Sequence, residues 1–186
     1  YRTDDGVYFY ARLNKQSYHR AMERLRANAR DTALSYVMRS EKKFGKGSFY
    51  LIQKAWQEIF PFNDEPMAVQ YNNVSYNLST LIRQKQEEFS GRVSIHGNLS
   101  KNNIRTIIDK NNIINLKVKD RNTGAPLIGM PIKINYHELS KTLISDKKGV
   151  IEFDLGSLNQ RSTFQTNFSL DYEALINDLD DIENML

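Results

Sequence analysis

Between residues 113 and 155 the chain alternates apolar and polar side chains in three runs separated by turn chemistry. Ile114, Leu116 and Val118 form the first run, Ile132, Ile134 and Tyr136 the second, Ile151 and Phe153 the third. A period of two sends alternate side chains to opposite faces of a pleated strand, so each run reads as a half-buried strand. Asn122-Thr123-Gly124 and Asp146-Lys147-Lys148-Gly149 lie between them. Gly reaches positive φ freely and Asx side chains cap turns, so both read as tight turns. A last strand is expected near Thr163–Leu170. A sheet module of this kind needs no catalytic residue.

Helical periodicity dominates the first half. Tyr18, Met22, Leu25, Ala29, Ala33 and Tyr36 recur at helical spacing and predict a helix over about 15–43, with a strongly basic opposite face. Gly45 and Gly47 end it. Ser48 reads as the N-cap of a second helix over 49–60 that carries Ile52, Trp56, Ile59 and Phe60, and Pro61 stops it. The segment 61–66 reads as a connector. A third helix over 77–89 carries Leu78, Leu81, Ile82 and Phe89. Val93, Ile95 and Leu99 predict a strand, and Ser100–Asn112 a short helix. Near the start, Val7, Phe9, Ala11 and Leu13 alternate after the hairpin signal Asp4-Asp5-Gly6, which predicts the second strand of a hairpin. At the other end Asp171 caps a helix with Tyr172, Leu175, Leu179, Ile182 and Leu186 in a two-heptad seam. The chain starts at Tyr1 and reads as a fragment or processed form.

The 186 residues, 40% apolar and 11% aromatic, are enough for a buried core in one or two domains. Cysteine is absent, which excludes disulfide frameworks and thiolate chemistry. No apolar stretch is long enough to span a bilayer. Charge is polarised: residues 1–60 carry net +6 and residues 141–186 net −5.

The chemical inventory is thin. Gly45-Lys46-Gly47-Ser48 lacks the spacing of a phosphate loop and reads as punctuation between helices. His19, His96 and His137 have no partner at ligand spacing. Asp178, Asp180, Asp181 and Glu183 follow a helical pattern without the glycine of a calcium loop. Arg20, Arg24, Arg26 and Arg30, with Arg39, Lys42 and Lys43, make a basic helix, of which Arg20, Arg24 and Arg30 are the candidate anion-binding residues. No aromatic interleaving accompanies it, which disfavours nucleic acid. Trp56, Phe60 and Phe62, beside Tyr71, are the candidate lining of a ligand groove. No catalytic triad or paired-carboxylate signature is present.

Two resemblances follow. Asp5-Gly6-Val7-Tyr8, Tyr10-Ala11-Arg12-Leu13 and Tyr18 resemble the strand-plus-helix pattern of LPP20-type bacterial lipoproteins over about 40 residues. Asp120 through Thr123-Gly124-Ala125-Pro126-Leu127-Ile128-Gly129-Met130-Pro131-Ile132, then Ser145-Asp146, Gly149, Ile151 and Phe153, resemble Ig-like β-sandwich modules of bacterial surface proteins, the invasin-type and carboxypeptidase-regulatory-like modules. That second resemblance implies a hairpin at Thr123-Gly124 and a spacer, adhesion or docking role.

The fold expected is α+β. A helical segment with the remnant of an α/β strand (1–90) precedes a small Ig-like antiparallel β-sandwich (91–170) and a C-terminal amphipathic helix (171–186). The function expected is that of a non-catalytic bacterial cell-envelope protein, periplasmic or at the surface and membrane-anchored in its full-length form, with a structural, assembly or protein-interaction role. It is not expected to be an enzyme or to carry a cofactor or metal. A protein partner, or a second copy, would dock on Tyr172, Leu175, Leu179, Ile182 and Leu186. The alternatives are a glycan- or lipid-binding module near Trp56 and an anionic-surface or nucleic-acid binder using the arginine helix.

Overall fold

The computed structural model describes residues 2–3, 6–7, 14–99, 113–136, 139–154 and 166–177. It shows an α+β protein of helices and open antiparallel sheets. At the start β1 (Arg2–Thr3) pairs with β2 (Gly6–Val7), so Gly6 lies in a strand and not in the turn expected there. The rest of the strand expected up to Leu13 lies outside the described residues.

Helix α1 (Lys15–Ser40) is capped by Asn14, whose side chain accepts from the Gln16 and Ser17 amides. Its apolar stripe is used only in its second half. Ala29, Ala33 and Val37 are buried, whereas Tyr18 and Leu25 are 46% and 55% exposed. Helix α2 (Lys46–Ile59) starts earlier than expected. Gly45, at φ 147°, is the N-cap, and Ser48 sits inside the first turn, where its hydroxyl donates to Gly45 O at 2.8 Å. Pro61 ends α2 in a single 3₁₀ turn, Phe60–Phe62.

A hairpin absent from the sequence reading follows, β3 (Ala68–Tyr71) with β4 (Val74–Asn77). Asn72 and Asn73 turn it at φ 51° and 64°, the left-handed pair that suits a two-residue hairpin loop. Asn77 then caps α3 (Leu78–Arg92). The helices and hairpin close on one apolar core: Val37 of α1, Phe49, Ile52 and Ile59 of α2, Val69 and Tyr71 of β3, and Leu78, Leu81, Ile82 and Phe89 of α3.

The sheet half contains two three-stranded antiparallel sheets. One has the order β5 (Val93–Leu99), β6 (Ile113–Asp120), β9 (Val150–Asp154). The other has the order β10 (Thr166–Leu170), β7 (Pro131–Tyr136), β8 (Leu139–Ile144). The three expected runs are strands, but the expected hairpin at Thr123-Gly124 is not one: β6 and β7 belong to different sheets. The turn instead folds the chain back onto β6. Gly124 N–H donates to Asp120 O, and Leu127 N–H to Val118 O, before the chain crosses over. Asp146 makes the second turn by accepting from the Lys148 and Val150 amides at 2.8 and 2.7 Å, and this turn too joins strands of different sheets.

The alternation read from sequence gives the inner faces. Ile114, Leu116, Val118, Ile132, Ile134, Tyr136 and Ile151 are all buried. The Tyr136 and Phe153 rings meet edge-on with centroids 6.4 Å apart, linking the sheets. Gly97 of β5 leaves room for Leu116 of β6, since a Cβ there would stand 3.1 Å from its Cδ2. Asp171 caps the short α4 (Tyr172–Asn177), as expected, through the Ala174 amide at 3.0 Å. The helix expected at 100–112 and the extension of the last helix beyond Asn177 lie outside the described residues.

Candidate functional site

Helix α3 ends at Arg92 and β5 begins at Val93. The β5–β6 register pairs Val93 with Asp120, so the last helical side chain arrives beside the last carboxylate of β6. The Arg92 guanidinium donates to Asp120 through Nε at 3.1 Å and Nη2 at 2.7 Å. Its plane lies over the Phe44 ring, 3.9 Å from the centroid. The carboxylate also accepts from the Asn122 amide and the Thr123 hydroxyl at 3.1 and 2.8 Å. Arg92 is the main reason its pKa falls from 3.8 to about 2, against burial that pushes the other way. Phe44 and Phe49 both stack on Phe89, and Phe49 meets Tyr172 of α4. The Tyr172 hydroxyl donates to Ser90 Oγ at 2.5 Å. Salt bridge and aromatic cluster together hold the helical layer to the sheets.

A second polar cluster sits behind this junction. The Lys85 ammonium lies 2.8 Å from both Glu41 and Glu88 and over the Tyr71 ring, while the Tyr71 hydroxyl donates to Glu41. Burial depresses the Lys85 pKa, but its two carboxylate partners outweigh that and raise it. Burial raises the Tyr71 pKa, and Glu41 adds to the effect. The arrangement is a satisfied clamp between the end of α1, β3 and α3. It holds Lys85 charged and Tyr71 neutral, the opposite of what a general base requires.

A cleft of about 420 Å³ opens between the α1–α2 turn and the loop before β7. Arg39, Lys42, Lys43 and Lys46 supply its charged lining, and Phe44, Leu51, Pro126, Leu127 and Ile128 its apolar lining.

The residues singled out from sequence do not converge. Arg20 and Arg24 are exposed, and Arg30 bonds Asp31 at 2.9 Å through Nε. At about 100° per helical residue, Arg30 also lies roughly 120° round the helix from Arg24. Trp56 and Phe62 are half-buried against the helical core, while Phe60 is 65% exposed, so the three do not line one groove. Leu175 is fully buried in the chain's own core, so it is not available to the seam expected of it, whereas Tyr172 is 41% exposed and bonds Ser90 through its hydroxyl. Leu179, Ile182 and Leu186 lie outside the described residues, as do His137 and the acidic cluster at 178–183. His96 pairs with Ser94 at 2.8 Å, and His19 packs on Tyr18. Among the described residues no three His, Asp or Glu side chains are placed to hold a metal ion, and no helix is long and apolar enough to cross a membrane.

Sequence reading missed Arg92 and Lys85, and named Asp120 only as the start of a turn motif. Asp120 does carry a local signal, because an Asp two residues before Asn122 and three before Thr123 suits an Asx-type turn. Its ion-pair partner lies 28 residues away, and nothing local marks it. Compared with known protein families, curated proteins and solved structures, the chain matches none.

Proposed function

We propose that this chain is a non-catalytic protein of the bacterial cell envelope that serves structure, assembly or protein interaction by presenting surfaces on a rigid frame. The observation that carries the reading is the strand order. In an Ig-like sandwich the first, second and fifth strands share one sheet, and the third pairs with the sixth in the other. Numbered from β5, the orders β5-β6-β9 and β10-β7-β8 match that pattern at five strands, while β8, the fourth, pairs with the third instead of the fifth. Together with the turn motifs that resemble surface-protein modules, this favours an Ig-like unit buttressed by helices. The polar clusters support the same reading, because their charges are paired across elements.

Among the described residues β8 is an edge strand with apolar ends: Leu139 is 68% and Ile144 60% exposed, and Ile128 nearby is 55% exposed. Exposed apolar residues on a sheet edge suit a protein partner. The test is fractionation of the source cell, with a photo-crosslinking residue placed at Leu139, Ile144 or Ile128 in turn. The expected result is recovery in the envelope fraction and an adduct of discrete mass from at least one position. Recovery in the cytosol, or no adduct from all three, overturns the reading.

A further inference from the structure

The cleft between the α1–α2 turn and the 126–128 loop is charged on one wall and apolar on the other. Arg39 lies in the last turn of α1, Lys42 and Lys43 follow in the α1–α2 turn and Lys46 opens α2, so all four cations come from one side. Leu51, Leu127 and Ile128 come from α2 and the opposite loop. Among the described residues no carboxylate lines the cleft, although each neighbouring cluster contains one. Gly45 and Gly47 lie in its floor with nothing within 4 Å of where a Cβ would stand, so the backbone there is open to an approaching group.

We propose that this cleft binds one anionic amphiphile, a lipid with a phosphate head. The phosphate sits among Arg39, Lys42 and Lys43, and the first part of its acyl chain lies on Leu51 and Ile128. Charge complementarity fixes the sign of the ligand. The apolar wall fixes the rest of the ligand: it offers nothing to a bare phosphate and favours a chain whose methylenes leave water there. A volume of about 420 Å³ holds a head group and a short length of chain. It is in the size range of small-ligand sites and too small for a folded domain. An acidic peptide with one apolar residue would satisfy the same charges, but it has no long unbranched chain to run along Ile128.

The experiment titrates the full chain by calorimetry with dihexanoyl phosphatidic acid, inorganic phosphate and an acidic peptide of the same net charge. Phosphatidic acid should bind at least tenfold tighter than either competitor. The Lys42→Gln/Lys43→Gln variant and the Ile128→Asp variant should each lose at least tenfold of that affinity. Arg20→Gln/Arg24→Gln, at the far end of α1, should bind like the parent chain. Circular dichroism of each variant confirms that it is folded before it is titrated. Equal affinity for phosphate and lipid, tightest binding of the peptide, an unchanged affinity in Ile128→Asp, or an equal loss in the Arg20/Arg24 variant would each overturn the proposal.

Discussion

Removing either partner of the Arg92–Asp120 pair should destabilise the chain, and unequally. Asp120 has only 4% of its side chain exposed, whereas Arg92 keeps 34%. Arg92→Ala leaves a buried carboxylate with only the Asn122 amide and the Thr123 hydroxyl. Breaking a fully buried pair in this way costs about 3–5 kcal/mol, and the partial exposure of Arg92 lowers that to about 2–3 kcal/mol. Asp120→Asn leaves a guanidinium that keeps Phe44 and reaches water, so about 1–2 kcal/mol is expected. The double variant should cost less than the sum of the two. The sign with pH follows from the depressed carboxyl pKa. A group held at about 2 instead of 3.8 contributes stability that is complete well above 3.8 and vanishes as pH falls through 2. That contribution is on the order of 2 kcal/mol at pH 7 and about half of it at pH 3. Urea unfolding, followed by the emission of Trp56 (the chain's one tryptophan) and by far-ultraviolet circular dichroism, measures it. A parent-minus-Arg92→Ala difference that is the same at pH 7 and pH 3 would refute the reasoning. So would a larger loss from Asp120→Asn than from Arg92→Ala.

Two other substitutions have magnitudes set by the structure. Gly149 sits at φ 70°, and an added Cβ would stand 2.6 Å from Val118 O and 3.1 Å from Leu127 N, both backbone atoms, so Gly149→Ala should lower stability by more than about 2 kcal/mol in the same urea assay. Ser145 is 3% exposed; its hydroxyl donates to Leu127 O at 2.7 Å and accepts from Met130 N–H at 2.9 Å, so Ser145→Ala should cost about 1–3 kcal/mol, with hydrogen exchange at the Met130 amide accelerating.

What was legible in the sequence was periodic. Leu78, Leu81, Ile82 and Phe89 marked the buried face of α3, and the alternation at Ile114, Leu116 and Val118 marked β6, because each pattern reports one element meeting one core. β8 was invisible: Leu139–Ile144 has one half-buried residue among exposed ones, and its strand conformation comes from pairing with β7. The Asn72-Asn73 pair between two β-prone triplets was a signal that went unread. The Thr123-Gly124 turn lies where its residues predict but does not join paired strands, since turn chemistry fixes a reversal and says nothing about which sheet receives the next strand. The basic cleft joins residues 39–51 to 126–128, and no local pattern spans that distance.

No residue separates the end of α3 at Arg92 from the start of β5 at Val93. A pull on β5 therefore reaches α3 through the backbone itself, with no loop between them to extend. Torque is resisted beside that join, where the Asp120 carboxylate grips the guanidinium through two bonds. For β5 to swing away from α3, that ion pair has to break.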